Sequence, residues 1–161
     1  YQFEMRNKKF FETILPPRPA GYQRYDTFLV FMNNLLEEQS NGDYYMYIIR
    51  NENGEFIGRI NLQMIISGNL KTAEIGYRMD FNKQGKGNAS HAVKLVLQVA
   101  FQKYGVSEVT AGTSIDNIGS QKVLEKNGFI KIGEEKKVLK INNEWVDGIL
   151  YKKVHSEKAS E

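Results

Sequence analysis

Residues 82–90 read Asn-Lys-Gln-Gly-Lys-Gly-Asn-Ala-Ser, and they join two stretches of opposite periodicity. Before them, Ala73, Ile75, Tyr77 and Met79 alternate with Glu74, Gly76, Arg78 and Asp80, the period of a strand. After them, Ala89, Ala92, Val93, Val96, Leu97, Ala100, Phe101 and Tyr104 form one apolar stripe at helical spacing, which Gly105 ends. Glycines at such a joint allow positive φ and close backbone approach. The exposed amides and the positive helix end then favour an anion, typically a phosphate or pyrophosphate. Lys83 and Lys86 add charge beside it. A Walker loop is excluded because Asn88 follows Gly87 where Lys is needed, and the dinucleotide fingerprint fails at Ser90, which should be the third glycine. A plain turn with a helix cap reads equally well from these residues alone.

Working outward, Asp26 to Gln39 is helical, with Phe28, Phe31, Met32, Leu35 and Leu36 as its stripe and Asp26 or Thr27 as its cap. Tyr44 to Arg50 and Phe56 to Ile66 are strands around the turn Asn51-Glu52-Asn53-Gly54. In the second of them Phe56, Ile60, Leu62, Met64 and Ile66 take the core face, and Arg59, Asn61 and Gln63 the other. Val106 to Thr113 is a strand, Asp116 or Asn117 opens a helix that closes at Asn127-Gly128, and Phe129 to Lys140 and Trp145 to Val154 are two more strands. A strand-helix-strand unit over residues 72–113 needs a crossover, so its strands run parallel. The fold class is α/β with a mixed, mostly antiparallel sheet.

The 161 residues suit one domain, 1–154, with a polar tail, 155–161. All three prolines, Pro16, Pro17 and Pro19, lie in one early loop. Cysteine is absent, which removes thiol nucleophiles, zinc knuckles and disulfides. His91 is expected to face solvent, and neither it nor His155 has the spacing of a metal site. A net charge of +3 is too mild to point to nucleic acid. No apolar run is long enough for a membrane span, and Tyr1-Gln2-Phe3-Glu4 does not open a signal peptide. The expectation is a cytoplasmic protein whose start has been trimmed, a monomer or a homodimer. Tyr22, Tyr25, Phe28 and Tyr44 to Tyr47 are expected mostly in the core.

Residues 117–129, Asn-Ile-Gly-Ser-Gln-Lys-Val-Leu-Glu-Lys-Asn-Gly-Phe, add a second motif: an Asn, a small residue three later, an apolar pair, then Gly-Phe. Together with Asn82-Lys83-Gln84-Gly85-Lys86-Gly87 it resembles the two hallmarks of the GNAT superfamily of N-acetyltransferases, with Asn82 where the family has Gln or Arg. Ala73 to Tyr77 and Trp145 to Tyr151 are similar to its ribosomal-protein-alanine acetyltransferase (RimJ/RimL-like) branch. The resemblance spans about residues 44–154.

That resemblance implies a central parallel strand pair splayed around acetyl-CoA as co-substrate, with helices on both faces. It implies that the backbone of Tyr77, Arg78 and Met79 pairs with pantetheine, that one amide, Met79, polarises the thioester carbonyl, and that the amides of Gln84, Gly85, Lys86, Gly87, Asn88 and Ala89 cradle the pyrophosphate. Asn117 would bond the pantetheine amide; it reads equally as a helix cap. A primary amine attacks the thioester directly. Glu74 is the candidate base, against a solvated strand carboxylate, and the strand face that meets substrate stays open. The family's tyrosine acid has no counterpart, because that position is Leu124. Ser120 is the candidate donor to the sulfur, against an ordinary first-turn serine. Lys122 and Lys126, at i and i+4 on one side of their helix, are read as a solvated face, against a reach to the CoA phosphates. The acceptor is a protein N-terminal α-amine, as on a ribosomal protein, or a small-molecule amine. Rivals are a non-catalytic acetyl-CoA-binding module and a nucleotide-binding domain on the same loop.

Overall fold

The computed structural model describes residues 1–156; residues 157–161, most of the expected polar tail, lie outside the described residues. Six strands form one sheet in the order β1-β2-β3-β4-β6-β5. They are β1 (Tyr44–Arg50), β2 (Phe56–Ser67), β3 (Leu70–Met79), β4 (Glu108–Ser114), β5 (Ile130–Ile141) and β6 (Glu144–Val154). Every neighbouring pair is antiparallel except β3 and β4. The mixed sheet with one parallel pair is the arrangement that the crossover argument requires.

Helices α3 (Asn88–Gln98) and α4 (Ile118–Lys126) cover one face. Val93, Val96 and Leu97 of α3 and Leu124 of α4 close over Ile60, Leu62 and Ile75 of the sheet, all nearly or fully buried. The apolar stripe continues past Gln98 through a wider π turn, Val99–Lys103, and Gly105 follows in the left-handed region at φ 66°. Asn127 ties the two helices together by donating to Ser90 O and Oγ, both at 3.1 Å.

The opposite face carries an element that hydrophobic periodicity does not show. Helix α1 spans Gln2–Ile14, and its buried positions are Phe3, Glu4, Asn7 and Phe11. Two of these four are polar, so no apolar stripe marks the helix. Leu15 ends it in an extended conformation ahead of Pro16, as the residue before a proline must. Arg59 is 8% exposed rather than solvated, because α1 brings Glu4 over it at 3.3 Å. Helix α2 (Tyr25–Asn41) starts on Arg24 without a side-chain cap, one residue before the expected start. Asp26 accepts from the neighbouring Thr27 N–H instead. Only Phe28 of its expected stripe is buried, and Leu36 is exposed. Tyr22 and Tyr44 are buried as expected, but Tyr25 is exposed and packs only edge-on against Tyr1. Ile66 also lies outside the core, near the β2 end. No helix among the described residues is long and apolar enough to cross a membrane.

Candidate active site

β3 and β4 pair at only three positions, Thr72 with Glu108, Ala73 with Val109 and Glu74 with Thr110. Beyond Glu74 the strands separate: β3 stays on β2 to Met79, and β4 stays on β6 to Ser114. The space between them is the head of a cavity of about 460 Å³. Ile75 to Met79 line one side and Ala111 to Ser114 the other; the glycine loop and the start of α4 form its mouth. Phe10, Phe11 and Ile14 of α1 close it from the far face of the sheet.

Backbone alternation decides which groups face this gap. The Asp80 N–H donates to Ile57 O at 2.8 Å, so Asp80 and, two residues back, Arg78 turn their backbone toward β2. The N–H and C=O of Met79 and Tyr77 therefore point into the gap. The expectation that Arg78's backbone serves the gap is corrected: its main chain belongs to the β2 ladder, and its side chain crosses to Glu4 at 3.4 Å.

The loop at the mouth is shaped by two left-handed glycines, Gly85 at φ 73° and Gly87 at φ 79°. Gly87 is the N-cap of α3 and offers no side chain to the first turn. The first intrahelical bond runs from His91 N–H to Gly87 O, so the amides of Asn88, Ala89 and Ser90 have no partner within the helix. Gln84, Gly85, Gly87, Asn88 and Ala89 line the cavity; Lys86 is exposed and does not. Lys83, Lys122 and Lys126 also line it. Lys122 and Lys126 are exposed, as a solvated face requires, and α4 also presents both to the mouth.

At the start of α4, Asn117 caps the helix: its Oδ1 accepts from Ser120 N–H at 3.1 Å. This uses the carbonyl end of the side chain and leaves the amide end for another partner. Ser120 Oγ lies 2.9 Å from the Tyr77 hydroxyl, and Tyr77 also reaches Ser120 O at 3.2 Å. Burial pushes the Tyr77 hydroxyl up to about 12, against the opposing Ser120 bond, so it keeps its proton at neutral pH. Gln121 donates to Ile115 O at 2.8 Å and holds this turn onto the end of β4.

Glu74 is not brought to the cavity. It stands where β3 is still paired on both sides, with Gln63 and with Thr110, and its side chain is exposed. Its assignment as base is corrected for that reason. Among the described residues the cavity is lined by no Asp, Glu or His. Sequence reasoning missed the α1 wall and the Tyr77 hydroxyl. The repeat Phe3, Asn7, Phe11 at four-residue spacing is the available signal for α1. Nothing in sequence couples Tyr77 to Ser120, 43 residues away.

The cradle of free amides, the lysines at its mouth and a strand gap with inward-facing backbone suit an acyl group on a long diphosphate carrier. A family model described as an acetyltransferase (GNAT) domain matches residues 3–130. The chain is 34% identical over 145 residues to the probable N-acetyltransferase YjcK of Bacillus subtilis (strain 168), covering 89% of this chain and 80% of that protein. It is 30% identical over 154 residues to the ribosomal-protein-serine acetyltransferase of Escherichia coli (strain K12), covering 96% and 84%. The crystal structure of ribosomal-protein-S5-alanine acetyltransferase from Vibrio fischeri matches with a TM-score of 0.88 at 27% identity, over 95% of this chain and 84% of that one. The chain belongs to the GNAT family and is an acetyl-CoA-dependent N-acetyltransferase.

Proposed function

We propose that the acceptor is the α-amino group of a protein N-terminus, such as that of a ribosomal protein, and that residues 1–154 act as one catalytic domain. The observation that carries this reading is the lack of any carboxylate or imidazole among the described residues lining the cavity. An α-amine with a pKa near 8 is about 10% neutral at pH 7, whereas a lysine near 10.4 is only about 0.04% neutral. A cavity without a base therefore favours the α-amine. The similarity to the ribosomal-protein-serine enzyme supports the same choice.

The bound thioester supplies the acetyl group and a thiol of pKa near 8.5, an easy leaving group. The chain's residues do the rest. The free amides of Asn88 and Ala89, with the backbone of Gln84, Gly85 and Gly87, hold the pyrophosphate, and Lys83, Lys122 and Lys126 supply positive charge. The amide end of Asn117 bonds the pantetheine arm. The inward-facing Met79 N–H meets the thioester oxygen, where one well-placed donor is worth roughly 3–4 kcal/mol. Ser120 Oγ, held 2.9 Å from the Tyr77 hydroxyl, donates to the sulfur.

Purified protein, acetyl-CoA and three acceptors test this: a peptide with a free N-terminal Ser or Ala, an N-blocked lysine peptide, and spermidine. Release of free thiol should be fastest with the free N-terminus, by about 100-fold over the blocked lysine peptide at pH 7. Faster transfer to lysine or spermidine would reverse the acceptor assignment, and no release with any amine would leave a binding module.

A further inference from the structure

A second cavity, of about 250 Å³, opens beneath α1 and shares Phe11, Pro16 and Arg78 with the first. Its floor is unbalanced in charge. Glu4, 5% exposed, is met by two guanidinium groups that line the cavity, Arg18 at 2.8 Å and Arg78 at 3.4 Å, and by a third behind the lining, Arg59 at 3.3 Å. The other carboxylate under α1, Asp80, is already paired with Arg6 at 2.8 Å. At the rim Lys8 and Glu12 face each other at 3.5 Å and are half-exposed. One carboxylate thus stands against three arginines, and each guanidinium has more N–H donors than Glu4 occupies.

A second observation falls in the same place. Tyr22 lines this cavity and is 4% exposed, yet its buried hydroxyl has no hydrogen-bond partner among the described residues. The Arg18 guanidinium lies over its ring, 4.9 Å from the centroid. Buried polar groups are almost always satisfied, and buried charge without a counter-charge is costly. An anion entering beside Arg18 and Arg78 answers the surplus charge and lies beside the unpartnered hydroxyl.

We propose that this second cavity is an acceptor subsite for an anionic group, a carboxylate carried close to the reacting amine. The proposal rests on reading the first cavity as the site of N-acetyl transfer. Arg78 lines both cavities, so an acceptor with its amine in the gap reaches the arginines with a neighbouring group. A planar carboxylate matches the guanidinium fork. Its source is either an acidic side chain just after a peptide's N-terminal residue or the α-carboxylate of a free amino acid.

Two near-isosteric pairs whose members differ by one negative charge separate these sources, compared at equal concentration of neutral amine: C-terminally amidated peptides beginning Ser-Asp or Ser-Asn, and free serine against serinamide. The charged member of at least one pair should be preferred by about tenfold or more in kcat/KM, chiefly through KM. In Arg18→Gln that ratio should fall to within about threefold, while Arg18→Lys keeps part of it, as expected for loss of a charged partner rather than of fold. Preference in the peptide pair assigns an acidic side chain, and preference in the serine pair assigns an α-carboxylate. Equal rates within both pairs, with transfer proceeding, overturn the subsite alone. No transfer to any of these amines overturns both the subsite and the acetyl-transfer reading beneath it.

Discussion

Ser120 is held from two directions, its N–H by Asn117 and its hydroxyl by Tyr77. An alcohol so fixed gives a directed donor without needing to ionise. Ser120→Ala should lower kcat roughly tenfold or more and leave the KM for acetyl-CoA within about threefold, as steady-state kinetics will show. Tyr77→Phe keeps the ring and removes the orienting hydroxyl, so kcat should fall by a smaller factor, about three- to tenfold. Because burial pushes the Tyr77 hydroxyl up to about 12, kcat in the wild type should not decline between about pH 8.5 and pH 10. At this scale the sequence showed half of the arrangement. The family resemblance pointed to Ser120, and the cap and the proposed ligand contact of Asn117 use opposite ends of one amide. Tyr77 read only as a strand residue, since its partner comes from a helix distant in the chain. Glu74 was misplaced because alternation gives a residue's face but not whether its strand is still paired at that point.

Among the elements, the glycine loop and α3 form one anion cradle. A Cβ on Gly87 would meet nothing within 4 Å, so a substitution there is opposed by the positive φ alone. Gly87→Ala should weaken acetyl-CoA binding by roughly 5- to 30-fold, through about 1–2 kcal/mol of backbone strain, with little loss in kcat at saturation. Titration calorimetry with acetyl-CoA measures it. This loop and the helix behind it were legible because their periods change abruptly at residue 82. Helix α1 was not. Half of its buried face is Glu4 and Asn7, which serve arginines and the Asp80 turn, so its hydrophobic pattern is diluted.

Across the whole molecule, the single parallel pair follows from the crossover, while the width of the gap depends on β3 and β4 each keeping its outer neighbour. Glu4 ties α1 to the following loop and to strands β2 and β3. Burial pushes its carboxyl up, but the hydrogen bond from Arg18 and the charges of Arg18, Arg78 and Arg59 outweigh this and hold it below its ordinary value of 4.5. A depressed carboxyl stabilises the fold fully above its unfolded value and loses that contribution as pH falls through its folded value. Glu4→Gln takes the counter-charge from the buried Arg59 and the partly buried Arg78 and Arg18, and should cost on the order of 3 kcal/mol at pH 7, roughly 6–12 °C in Tm. The difference from wild type should narrow on acidifying from about pH 5 to pH 3. Transfer as proposed requires acetyl-CoA to occupy the gap between β3 and β4. The most direct measurement is a crystal structure of the protein with acetyl-CoA. The diphosphate should lie on the amides around Gly85 to Ala89, the thioester oxygen within hydrogen-bond reach of Met79 N–H, and the sulfur beside Ser120 Oγ. A coenzyme bound elsewhere, or one whose acetyl end lies outside the gap, would contradict it.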